Sequence, residues 1–152
     1  MASKGYFATK KSITRYEFVS IGPNGQIKKR IEFTPLRKRN YFNVAFGDVM
    51  KNGRISDTVY SNNQDIVRIM ATVVETMKDF LKENKAAKLV FTGSRDDRTA
   101  FYKNILGRYH KTLFANYTIT ALSKDENDNY QEVEFDFAVE KNYSLFIIKN
   151  KM

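Results

Sequence analysis

The sequence predicts an α+β protein: a curved, mainly antiparallel sheet of about eight strands packed on one long and one shorter helix, in the order ββββαβαβββ. Three observations carry that expectation. Strand and helix signals come in blocks rather than in strict alternation. Two turn signals, Gly22-Pro23-Asn24-Gly25 and Asn52-Gly53, each separate a pair of strand-like runs. One run, from Ile66 to Leu81, repeats its apolar residues at the three- and four-residue steps of a helix.

Ile13 to Ile21 reads as the first strand and Gln26 to Thr34 as the second. In the second, Ile27, Ile31 and Phe33 share a face with Lys29, while Gln26, Lys28, Arg30 and Glu32 take the other. Period-two alternation therefore predicts one wet, cationic face. After Pro35 and the loop Arg37-Lys38-Arg39, Tyr41 to Val49 forms a third strand and Arg54 to Tyr60 a fourth. Ser61-Asn62-Asn63 offers N-cap residues to the long helix, whose stripe is Ile66, Ile69, Met70, Val73, Met77, Phe80 and Leu81. Lys88 to Thr92 reads as a short buried strand. Gly93-Ser94 then turns the chain into a second helix, Asp96 to Tyr109, with Ser94 and Asp97 at capping-box spacing. Three strands follow: Phe114 to Leu122, Tyr130 to Val139 and Tyr143 to Lys149, the first two joined by the polar segment Ser123 to Asn129. Val133, Phe135, Phe137 and Val139 are expected to face the long helix, and Glu132, Glu134 and Asp136 to face water. No repeat or linker interrupts the chain, so residues 1–152 read as one domain.

Composition narrows the chemistry. A chain of 152 residues buries roughly 70% of its unfolded surface without staples. Zero cysteines exclude thiolate catalysis and thiolate zinc sites, and the single histidine, His110, excludes a multi-histidine site, so no metal or cofactor is expected. No secretory h-region and no run of eighteen apolar residues occurs, which predicts a soluble, cytoplasmic protein without membrane attachment.

Charge is the most suggestive property. Residues 1 to 40 hold ten Lys and Arg against Glu17 and Glu32, a net of +8, while the rest hold sixteen against fifteen. Clustered cations on an otherwise neutral chain are an electrostatic footprint for a polyanion, and nucleic acid is the commonest. The candidate contacts are Lys10, Lys11, Arg15, Lys28, Arg30, Arg37, Lys38 and Arg39, with Tyr16, Tyr41 and Phe18 as rings on which bases would stack. A solvated basic face with the rings in the core accounts for the same residues, and Lys29 fits an edge or gatekeeper charge. A second candidate is the strand-to-helix loop, where Gly93, Ser94, Arg98, Thr99 and Tyr102 would receive an anion at a helix start. Capping alone also explains Ser94 and Asp97, two aspartates there repel phosphate, and the loop lacks the second glycine and lysine of a P-loop. Glu132, Glu134 and Asp136 read as a solvent face rather than a metal site, and Asp48, Asp57 and Asp65 lie near turns. His110 suits the end of a helix.

The series Phe46-Gly47-Asp48, Ser61-Asn62-Asn63-Gln64-Asp65, Ala71-Thr72-Val73 and Phe91-Thr92-Gly93-Ser94 with Arg98-Thr99 and Tyr102 resembles a family of short, uncharacterised bacterial proteins classed as a domain of unknown function. The resemblance spans most of the chain. It departs at Asp96-Asp97, where the family has a proline and an alanine. A shared fold is what it implies, with no mechanism. In architecture alone, four strands followed by one long helix look like the repeat of PUR- and Whirly-type single-strand nucleic-acid binders, whose sheets carry basic and aromatic residues. The second half departs from that plan.

The function expected from these residues is non-enzymatic binding of single-stranded DNA or RNA. The rival is an enzyme or a sensor of a small phosphorylated ligand centred on Ser94, Arg98 and Tyr102. A regulatory module that meets another protein through an acidic patch is a third reading, and exposed strand edges would support a homodimer.

Overall fold

Glycine closes the first hairpin where the chain needs a left-handed residue: Gly25 has φ 85° and pairs with Gly22 across the turn. The structure is a computed structural model that describes residues 5–56, 64–91, 106–108, 111, 114–135 and 143–151. Its elements are β1 (Thr9–Ser12), β2 (Arg15–Gly22), β3 (Gly25–Pro35), β4 (Tyr41–Asp48), α1 (Ile66–Glu83), β5 (Lys88–Phe91), β6 (Tyr117–Lys124), β7 (Tyr130–Glu134) and β8 (Tyr143–Asn150). Residues 106–108 form a helical turn. The chain is α+β, with the expected mainly antiparallel sheet of eight strands in hydrogen-bonded order β1-β2-β3-β4-β5-β8-β6-β7. The β4 and β5 pair is parallel, matching Tyr41, Phe42 and Asn43 to Lys88, Leu89 and Val90.

The strand boundaries differ from expectation in two places. Ile13 and Thr14 form a turn, and the polar run Thr9–Ser12 pairs with β2 as an additional strand. Its four exposed residues carry no alternation for a sequence reading to find. The expected strand Arg54 to Tyr60 is, over its described residues, only a single bridge between Val49 and Ile55, and residues 57–60 lie outside the described set.

Two compact units divide the chain: Met1–Thr34 with Val44–Lys85, and Pro35–Asn43 with Ala86–Met152. In the first, Tyr16, Phe18, Ile31 and Phe33 from one face of the strands are buried with Met70, Val73, Met77, Phe80 and Leu81 of α1. Phe33 stacks on Phe80 with ring centroids 4.2 Å apart. Thr72 and Thr76 are buried too, and each hydroxyl donates to the carbonyl one turn back, at 2.8 and 2.9 Å. The cover over Thr72 is the segment before β1: Tyr6 N donates to Thr72 Oγ1 at 2.7 Å. The expected cap residues Ser61, Asn62 and Asn63 lie outside the described residues. At the N-cap position Asp65 makes no side-chain cap. Its carboxylate instead accepts hydrogen bonds from the hydroxyls of Tyr6 and Ser20, both at 2.5 Å.

In the second unit Leu89, Phe146, Ile148, Ile119 and Ala121 are buried together on one sheet face. Phe135 meets Phe146 of β8 edge to face, with ring centroids 5.2 Å apart. Glu132 and Glu134 are exposed, as expected. Asp125 organises the loop between β6 and β7 by accepting from the backbone N–H groups of Asn127 and Asn129.

Candidate functional site

The residues expected to meet nucleic acid fall into both units. Lys10, Lys11, Arg15, Tyr16, Lys28 and Arg30 belong to the first, and Arg37, Lys38, Arg39 and Tyr41 to the second.

In the first unit most of these cations face carboxylates. Alternation along β2 and β3 places Glu17 opposite Arg30 and Arg15 opposite Glu32. Arg15 reaches Glu32 at 2.8 Å. Arg30 is buried, holds Glu17 at 2.7 Å, and donates to the carbonyl of Gly53 at 2.6 Å, which ties the Asn52-Gly53 turn to the sheet. Lys28 adds a longer contact to Glu17 at 3.4 Å. Burial pushes the Glu17 carboxyl up, but hydrogen bonds and charge from Arg30 and Lys28 outweigh it and hold the group below the usual carboxylate range. Arg30 is therefore a structural cation rather than part of a wet face. Lys29 is buried as well, ion-paired with Asp48 and 5.9 Å from the ring centroid of Phe46, so it does not guard an edge.

Lys10 and Tyr16 are drawn to α1. Lys10 lies 3.4 Å from Asp79 and 3.3 Å from Glu83, and Tyr16 donates its hydroxyl hydrogen bond to Asp79. Tyr16 is 3% exposed and Phe18 likewise, which corrects the expectation that these rings are open for stacking. The cause is pairing register: Tyr16 sits opposite Ile31, and Phe18 opposite Lys29, on the face that α1 covers. Burial, reinforced by the Asp79 hydrogen bond, pushes the Tyr16 phenol up to about 12. The Asp79 carboxyl is held low, chiefly by that same hydrogen bond. Of the six, Lys11 keeps an exposed ammonium with no ion pair among the described residues.

The second unit differs. Asn40 adopts a left-handed φ of 69°, and the loop closes through Leu36 N to Tyr41 O at 2.8 Å and Tyr41 N to Lys38 O at 3.1 Å. Arg37, Lys38 and Arg39 are exposed on this loop, and Tyr41 is half-buried at its base. Lys38 Nζ lies 4.7 Å from the Tyr41 ring centroid, within cation–π range. A residue absent from the expected set joins them: Lys88 Nζ lies 5.0 Å from the same centroid and 3.4 Å from the Tyr41 hydroxyl. Only the pairing of β4 with β5 brings Lys88 there, and nothing local in the sequence signals it. Among the described residues, no carboxylate forms an ion pair with Arg37, Lys38, Arg39 or Lys88.

The alternative anion loop, Gly93, Ser94, Arg98, Thr99 and Tyr102, lies outside the described residues, as does His110. Among the described residues no group of three or more His, Cys, Asp or Glu side chains could hold a metal ion. No described helix is long and apolar enough to cross a membrane.

Fold and side-chain placement together define an α+β protein in which Lys10, Arg15, Lys28, Lys29 and Arg30 are carboxylate-bound, while Arg37, Lys38, Arg39 and Lys88 around Tyr41 have no such partner among the described residues. The chain belongs to a family of unknown function, DUF6934, which it matches over residues 2–151. No curated protein and no solved structure matches it.

Proposed function

We propose that this protein binds single-stranded DNA or RNA without catalysing a reaction, and that the Arg37-Lys38-Arg39 loop with Tyr41 is the contact. One observation carries the reading: these three exposed cations have no carboxylate partner among the described residues, and the half-buried Tyr41 ring stands beside them. Ammonium and guanidinium groups already neutralised by Glu or Asp gain little from a phosphate, because the ion pair must first be broken. When cations facing only water meet a polyanion, its phosphates release their condensed counterions, which supplies the sequence-independent part of nucleic-acid affinity. A half-buried ring with a fixed base adds stacking, a contact that every nucleobase can make.

Replacing Arg37, Lys38 and Arg39 by Ala is expected to weaken binding of fluorescein-labelled oligonucleotides equally across sequences. For single strands the slope of log affinity against log salt should flatten by about 0.7 per lost contact, roughly 2 in all. Fluorescence anisotropy at graded salt measures both. An unchanged slope would remove the loop from the site.

A further inference from the structure

Resting on that reading, we propose that the nucleic-acid site continues from the loop across the sheet of the second unit, with Lys88 and Lys149 as further phosphate contacts. The register places Tyr41 opposite Lys88, Lys88 opposite Lys149, and Lys149 opposite Thr118, so these four residues of β4, β5, β8 and β6 form one row on one face. Neighbouring strands are about 4.8 Å apart, so the row runs roughly 14 Å across the strands. Lys88, Lys149 and Thr118 are all half-buried, and Val90 and Ile147, two residues further along the same face, are buried. The row thus lies at the border of the covered part of the face, where lysine stems pack and their ammonium groups reach water.

Two lysines directly opposite each other in an antiparallel pair repel, which weakens a sheet. Here no ion pair to a carboxylate relieves the contact among the described residues. Lys88 is met by the Tyr41 ring and hydroxyl, neither of which carries a negative charge. A phosphodiester chain crossing the strands at this row would supply the missing counter-charge to both ammonium groups at once. Lysine suits that task, since a flexible point charge follows a backbone without reading bases, and the Thr118 hydroxyl is a group that contacts phosphate or sugar. Bases on the loop side would lie against Tyr41.

The test uses the full chain with Lys88→Gln and Lys149→Gln together, and Lys88→Arg with Lys149→Arg as the charge-keeping control. Anisotropy is read with labelled oligothymidylate and oligouridylate of about 16 nucleotides, the upper end of what one small module covers. The Gln variant should flatten the salt slope by about 1.4, while the Arg variant retains it. Its thermal midpoint should stay level or rise, since a like-charge contact is gone. An unchanged slope in the Gln variant, with the Arg37-Lys38-Arg39 variant still weakened, overturns the extended row and leaves the loop reading standing. Absence of binding by the unmodified protein at low salt overturns both.

Discussion

The Tyr16 hydroxyl shows how a single group ties a strand to a helix. Its hydrogen bond to Asp79, with Lys10 alongside, anchors β2 to the last turns of α1, and burial of the ring gives it a folded-state titration far above the ordinary 10. A group whose folded pKa is raised stabilises the fold fully below its unfolded pKa and loses that contribution as pH climbs through the folded one. Tyr16 therefore predicts falling stability between pH 10 and about 12. Lys10 lies above its ordinary value, chiefly through Glu83, and adds to the same alkaline decline. Tyr16→Phe keeps the buried ring and removes the ionisable hydroxyl, so its decline over this range should be shallower. Urea midpoints at stepped alkaline pH decide it, and superimposable profiles for the two proteins would show that the phenol does not titrate in this environment. On the acid side Asp79 and Glu17 act in the opposite sense: both are depressed, so their contributions are present above the usual carboxylate range and fade as pH falls below it.

At the scale of elements, α1 is held from two directions, and the second is the unusual one. An amphipathic helix on a sheet needs only one apolar stripe, yet Thr72 and Thr76 are buried beside it. The segment before β1 explains Thr72, because Gly5 lies so near the helix backbone that a Cβ there would come within 2.7 Å of Thr72 N and 2.9 Å of its Cα. Backbone atoms inside a helix do not step aside cheaply. Gly5→Ala should consequently force the strap outward and lower stability by about 1–3 kcal/mol, the range for overpacked sites. Opposing this is the smaller gain of roughly 0.4–1 kcal/mol that Gly→Ala brings by stiffening the unfolded chain. Because the two effects differ in sign, denaturant unfolding gives a clear reading: a loss places the strap on α1, and a gain would mean the segment does not dock there.

Over the whole molecule, what the sequence made legible was local. The stripe of α1, both turns and the inward face of β3 follow from periodicities of three to four and of two, each contained within a few residues. Partnership between distant residues was not legible: Tyr16 and Asp79 are 63 positions apart, and Lys88 meets Lys149 only through the order β5-β8. For that reason the charge asymmetry of the first forty residues overstated the open cation surface, since Glu17, Glu32, Asp48, Asp79 and Glu83 neutralise much of it. The difference is measurable in the intact protein. Were all ten Lys and Arg of that stretch to meet phosphates, the salt slope on single strands would approach roughly −7; engagement of Arg37, Lys38, Arg39, Lys88 and Lys149 alone gives roughly −3.5. The shallower value is expected, because a Lys or Arg that leaves a carboxylate for a phosphate frees a cation condensed on the nucleic acid but bares a carboxylate that draws a cation back, leaving little net release. Anisotropy titrations of the unmodified chain across a range of salt concentrations separate the two, and a slope near the steeper limit would mean that the carboxylate-paired cations exchange their partners for phosphate after all.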